Sequence, residues 1–94
     1  MAIEFDPAKS EWNVRERRLP FSMVEDFDWD TAGTREDART DYGEPRYVAI
    51  GCVAALVYVV VFTPRGEDTR VISFRRANDR EIRAYEDARS IQGR

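Results

Sequence analysis

Apolar positions cluster in two strand-like runs in the middle of this chain, and the pattern on either side changes toward that of a helix. Glu44–Cys52 and Leu56–Thr63 predict paired strands joined around Val53–Ala55, a connection without the usual glycine or asparagine. Pro64–Asp68 reads as a turn, and Thr69–Arg75 returns as a third strand, giving an antiparallel meander. Upstream, Ala2–Phe5 predicts a short strand, and Asp6-Pro7 reads as an N-cap followed by proline at the first helical position. The helix should run from Pro7 to Arg18, with Ala8, Trp12, Arg15 and Leu19 on one face and Trp12 against the sheet. Pro20 disfavours helical geometry at Leu19 and ends it.

Ser22-Met23-Val24-Glu25 has capping-box spacing and predicts a second, short helix. Phe27 and Trp29 alternate with Asp28 and Asp30 as in a brief strand, while the polar stretch Thr31–Asp37, with Gly33, reads as a loop. Asn78 followed by Glu81 is a second capping arrangement, opening a helix to Ile91 whose apolar stripe of Ala84, Tyr85, Ala88 and Ile91 is narrow. The fold class expected is α+β: N-terminal helices and a C-terminal helix on a small, mainly antiparallel sheet, in one domain spanning residues 1–94.

Composition narrows the chemistry. Ninety-four residues leave room for a modest core, and histidine is absent, which removes the commonest metal ligand and the commonest neutral-pH base. Cys52 stands alone, so no internal disulfide forms, and it reads as a small buried hydrophobe on a strand. MAIEFDPAK has no apolar signal core, and the run Tyr47–Phe62 is too short to span a bilayer, so a cytoplasmic protein without membrane association is expected. Net charge is -3 but uneven: residues 1–44 hold six cations and twelve acids, residues 65–94 eight arginines and six acids. The acidic half suits a basic partner and the arginine-rich half suits phosphate.

Strict alternation along residues 69–76 puts Arg70, Ile72, Phe74 and Arg76 on one face, with Ile72 and Phe74 toward the helices. Val71, Ser73 and Arg75 fall on the other, where Ser73 and Arg75 face the open side. Arg46, just after Gly43-Glu44-Pro45, enters the same edge. Guanidinium groups so clustered suit the extra negative charge of a pentacoordinate phosphate. Cleavage of RNA also needs a proton acceptor and a donor, for which Glu44, Glu81, Tyr85 and Lys9 are the available types. Structural roles compete: helix capping for Glu81, a core contact for Tyr85, a solvated cation for Lys9, and pairing of Arg46 and Arg75 with Glu44 or Asp41.

IEFDPAK, Asn13, Phe21, Phe27, DYGEPR, the glycine of AIG, VVVFTPRG, RVISFRRA, and Glu81 with Tyr85 resemble, in order and over nearly the whole chain, the BrnT-type toxins of BrnT/BrnA toxin–antitoxin modules. The resemblance implies a RelE/ParE-like fold and a metal-independent endoribonuclease that inhibits translation and needs no cofactor. It also implies a BrnA antitoxin with a ribbon-helix-helix part, through which alone DNA is reached, and allows a homodimer within the complex. Carried over by position, Arg46, Arg70, Arg75 and Arg76 take phosphate-binding roles, Ser73 lies inside the motif, and Lys9 is a candidate for proton transfer. Arg17, Glu81 and Tyr85 are candidates for holding substrate.

Where the family reads N-x-x-K-H-G, this chain has Asn13-Val14-Arg15-Glu16-Arg17-Arg18. Arg17 replaces the histidine's charge but is a poor acid or base near neutrality. An alternative follows: a catalytically degenerate member that binds antitoxin and co-regulates its operon. A third class, a structural dimerisation protein, has little use for adjacent cations.

Overall fold

Among the described residues, which are 2–38 and 43–92 with side chains through 90, the computed structural model has five strands, two α-helices and one 3-10 helix. In chain order they are β1 (Ile3–Phe5), α1 (Pro7–Arg17), the 3-10 helix (Phe21–Asp26), β2 (Gly33–Glu36), β3 (Tyr47–Val53), β4 (Leu56–Arg65), β5 (Asp68–Arg76) and α2 (Asp79–Gln92). The strands form one sheet in the order β1-β5-β4-β3-β2, antiparallel except that β1 runs parallel to β5. The architecture is α+β with a mixed five-stranded sheet. Asp41 and Tyr42 of the DYGEPR motif, and the Ile91 side chain, lie outside the described residues.

Side chains alternate across β3 and β4 into two apolar layers. On one face Ala49, Tyr58, Val60, Val71 and Phe74 pack with Leu19, Phe21, Val24 and Phe27; on the other Val48, Val57 and Val59 pack with Ala77 and Tyr85. Gly51 lies on the first face, where a Cβ would come within 2.7 Å of the Phe27 ring, so only glycine lets that ring approach the strand so closely.

Several sequence expectations change. Residues 31–37 are not all loop, because Gly33–Glu36 pairs antiparallel with Tyr47–Ile50. All four β2 residues are exposed, so no apolar alternation marks the strand, which joins the sheet through its pairing with β3. Phe27 and Trp29 form no strand. Their rings meet edge to face at 4.7 Å, and Trp29 meets Phe62 in the same way at 5.1 Å. The Ser22 capping box does not form either, since the 3-10 helix begins after Pro20 and has no side-chain cap. The turn after β4 shrinks to Gly66-Glu67, with Gly66 at φ 61°, because β4 continues through Pro64, beyond the last β3 partner, where a missing N–H costs no ladder bond.

Trp12 does not lie against the sheet; it is 46% exposed, and α1 buries Ser10 and Asn13 instead. The reason is backbone satisfaction. Ser10 Oγ accepts from Phe21 N–H at 3.0 Å, and Asn13 Nδ2 donates to Leu19 O at 2.7 Å and Phe74 O at 2.9 Å. The start of α1 matches expectation, with Asp6 Oδ1 accepting from Ala8 N–H at 2.9 Å.

The helix ends on Arg18 in left-handed conformation, φ 59°, its N–H bonded to Asn13 O and Val14 O. This is the position of glycine in the N-x-x-K-H-G pattern, and the geometry gives that glycine its reason. Arg18→Gly is expected to stabilise the fold by about 1 kcal/mol, raising Tm by roughly 4–8 °C for a domain of this size. Calorimetry checks this, and an unchanged or lower Tm would show that Arg18 has compensating contacts.

Candidate functional site

The decisive local feature is a β-bulge in β5. Val61 pairs with Ser73 and Phe62 with Val71, so Ile72 is an extra residue without a partner on β4. Strict alternation fails there. Val71 and Phe74 both join the layer beneath α1 and the 3-10 helix, while Arg70 (opposite Thr63), Ser73 (opposite Val61) and Arg75 (opposite Val59) share the other face. Arg70 and Arg75 are an odd number of residues apart and would point oppositely on a regular strand; the bulge brings them to one side. Arg46, one residue before β3, continues that strand toward Thr63, whose hydroxyl donates to Pro45 O at 2.6 Å. Arg46 O accepts from Asp37 N–H at 2.7 Å, which holds the segment in place.

Arg75 is gripped by Glu81. Its Nη1 and Nη2 donate to the two carboxylate oxygens at 2.8 Å each, and Nη1 also reaches Arg76 O at 3.3 Å. Glu81 Oε1 meanwhile accepts from Asn78 N–H at 2.9 Å, and Asn78 Oδ1 accepts from Glu81 N–H at 2.8 Å, completing the capping box expected from sequence. The Arg75 hydrogen bond, outweighing burial and aided by Asn78 N–H and the charges of Arg75 and Arg35, lowers the Glu81 carboxyl from 4.5 to about 2. Arg75 is raised in turn, chiefly by the Glu81 hydrogen bond. A carboxyl held that low is ionised at neutral pH and accepts protons poorly, so Glu81 is a clamp on Arg75 rather than a base.

Arg70 makes a looser pair, Nη1 to Glu4 Oε1 at 3.4 Å, with both side chains over a third exposed. Such a pair yields readily to a phosphate. Glu44 pairs with Arg65 at 3.2 Å, not with Arg46 or Arg75.

The remaining candidates lie elsewhere. Arg76 opposes Tyr58 and its guanidinium lies 5.5 Å from that ring, on the face opposite Arg70 and Arg75. Tyr85 is buried, with its hydroxyl 3.6 Å from Cys52 Sγ, and is part of the core beneath α2. Lys9 and Arg17 line a cleft of about 300 Å³ between α1 and the bulge, together with Trp12, Asn13, Ile72 and Ser73. Ser73 therefore stands where that cleft meets the arginine-bearing face.

Arg35 was missed from sequence because its strand was. It opposes Val48 on the same face as Arg75, and its charge reaches Glu81. The available signal was a lone arginine in a polar segment, which no periodicity singles out.

Among the described residues no helix is long and apolar enough to cross a membrane. No curated protein matches the sequence. A family model described as the ribonuclease toxin, BrnT, of type II toxin-antitoxin systems matches residues 5–81.

Proposed function

The chain belongs to the BrnT family of ribonuclease toxins of type II toxin–antitoxin systems, and from this premise we propose that it is a metal-independent endoribonuclease of RelE/ParE-like fold that inhibits translation by cutting RNA. The observation that carries the reading is the bulge at Ile72, which sets Arg70, Ser73 and Arg75 on one face with Arg46 and Arg35. In the proposed reaction the ribose 2′-oxygen gives up its proton and attacks the adjacent phosphorus. Arg46, Arg70 and Arg75 hold the added charge, the bond to the 5′-oxygen breaks, and that oxygen takes a proton. The ends left are a 2′,3′-cyclic phosphate and a 5′-hydroxyl. Lys9, in the cleft beside Ser73, is the proposed proton carrier, and Arg17 a substrate contact.

Membership in a type II system gives the protein an antitoxin partner. We assign that role to a BrnA-like protein with a ribbon-helix-helix part, which also provides the route to DNA, with a homodimer of this chain inside the complex. A cytoplasmic setting follows from that partnership.

The test is partner-free protein with single-stranded RNA in EDTA. Cleavage leaving cyclic-phosphate ends is expected; intact RNA beside demonstrably folded protein would overturn the catalytic reading. A second reading, a degenerate antitoxin-binding member, draws support from the Glu81 clamp on Arg75 and from arginine at the family's histidine position. Tight antitoxin binding without cleavage is its expected signature.

A further inference from the structure

Trp12 is a large aromatic left on the surface, 46% exposed, at the mouth of a cleft whose lining includes Lys9 and Arg17 and no carboxylate. In a chain with 18 acids and 15 bases that local excess of cations is notable. Arg17 lies with its guanidinium carbon 5.1 Å from the Trp12 ring centroid, and its Nη1 donates to Asn13 Oδ1 at 2.7 Å. Asn13 is itself fixed by hydrogen bonds to Leu19 O and Phe74 O. The guanidinium is thus set in place by the packed core, and the indole lies against it.

We infer that Trp12 and Arg17 form a stacking subsite for an unpaired nucleobase of the RNA, beside the phosphate held by the β5 arginines; this rests on the ribonuclease reading above. Single-stranded nucleic acid is bound by aromatic side chains and guanidinium planes that stack bases, with cations along the backbone. Here the three parts occur together: the indole, the Arg17 guanidinium above it, and Lys9 in the same cleft. Ser73 joins the cleft to the arginine-bearing face, so a strand of RNA crossing the bulge places a phosphate on one side of β5 and a neighbouring base on the other. A duplex has no free base to offer, so the subsite selects single strands.

The test uses a short 2′-O-methyl oligoribonucleotide, which lacks the attacking hydroxyl, and the same sequence as a duplex. The single strand is expected to quench the fluorescence of the parent more than the duplex does. Trp12→Ala, which retains Trp29, should lose this quenching and bind the single strand roughly tenfold more weakly, with Trp12→Phe recovering part of the affinity. On cleavable RNA, Trp12→Ala should raise KM and leave kcat nearly unchanged. Unaltered single-strand affinity in Trp12→Ala overturns the subsite, and if antitoxin binding weakens in that variant the indole belongs to the protein interface. Trp12-dependent binding of the single strand by a parent that leaves cleavable RNA intact keeps the subsite and removes the cleavage reading instead.

Discussion

Arg75→Ala is expected to slow RNA cleavage by about 10²–10³-fold, the usual effect of removing one donor that holds transition-state charge, while the protein stays folded. The fold should survive because Asn78 N–H still caps through Glu81 Oε1 when the guanidinium is gone, and because the pair is partly exposed. A companion, Glu81→Gln, keeps an acceptor for Asn78 and removes the charge that holds Arg75, so it should retain cleavage. If both variants lose activity alike, the pair serves only to position β5 and α2.

Acid titration separates the two roles further. The Glu81 carboxyl is depressed to about 2, so the stability it contributes is present above the unfolded value of 4.5 and is lost as pH falls toward 2. Screening at a partly exposed pair limits that contribution to about 1 kcal/mol or less. Denaturation followed from pH 5 to pH 2, a window set by that shift, should show this loss in the parent and a shallower one in Arg75→Ala. Equal slopes in the two proteins would mean that Arg75 is not what depresses the carboxyl.

Asn13→Ala is expected to cost about 2–4 kcal/mol, since its amide satisfies two buried carbonyls, each worth about 1–3 kcal/mol when orphaned. One belongs to Leu19 after α1 and the other to Phe74 on β5, so the same side chain ties the helix to the sheet. Urea denaturation should show a lower midpoint at unchanged slope. Asn13→Asp should be similarly destabilised, because an ionised carboxylate accepts and cannot donate. A cost below about 1 kcal/mol would show that α1 is held mainly by its apolar contacts.

Much of the fold was legible because it rests on local chemistry. Asp6-Pro7 opened α1, Asn78 and Glu81 opened α2, and the long apolar runs became β3 and β4. β2 was not, because it shows no apolar face, and β1, though expected as a strand, gave no sign that it would run parallel to β5. Trp12 was misplaced because the face shared by Ala8, Trp12, Arg15 and Leu19 was taken as the buried one, whereas Asn13 and Ser10 had backbone partners to satisfy.

The arginines of β5 were legible in the sequence, but not which of them share a face. Alternation paired Arg70 with Arg76, and the bulge pairs it with Arg75. No residue in RVISFRRA announces the bulge.

The one unpaired residue in β5 also makes the site sensitive to register rather than to content. Removing Ile72 itself would leave Arg70, Ser73 and Arg75 at even spacings and so on one side, whereas a slip that pairs Ile72 with β4 at full strand length would send Arg70 to the side opposite Ser73 and Arg75. Such a surface can therefore be disarmed by a slip in strand pairing that leaves all of its chemical groups in the chain.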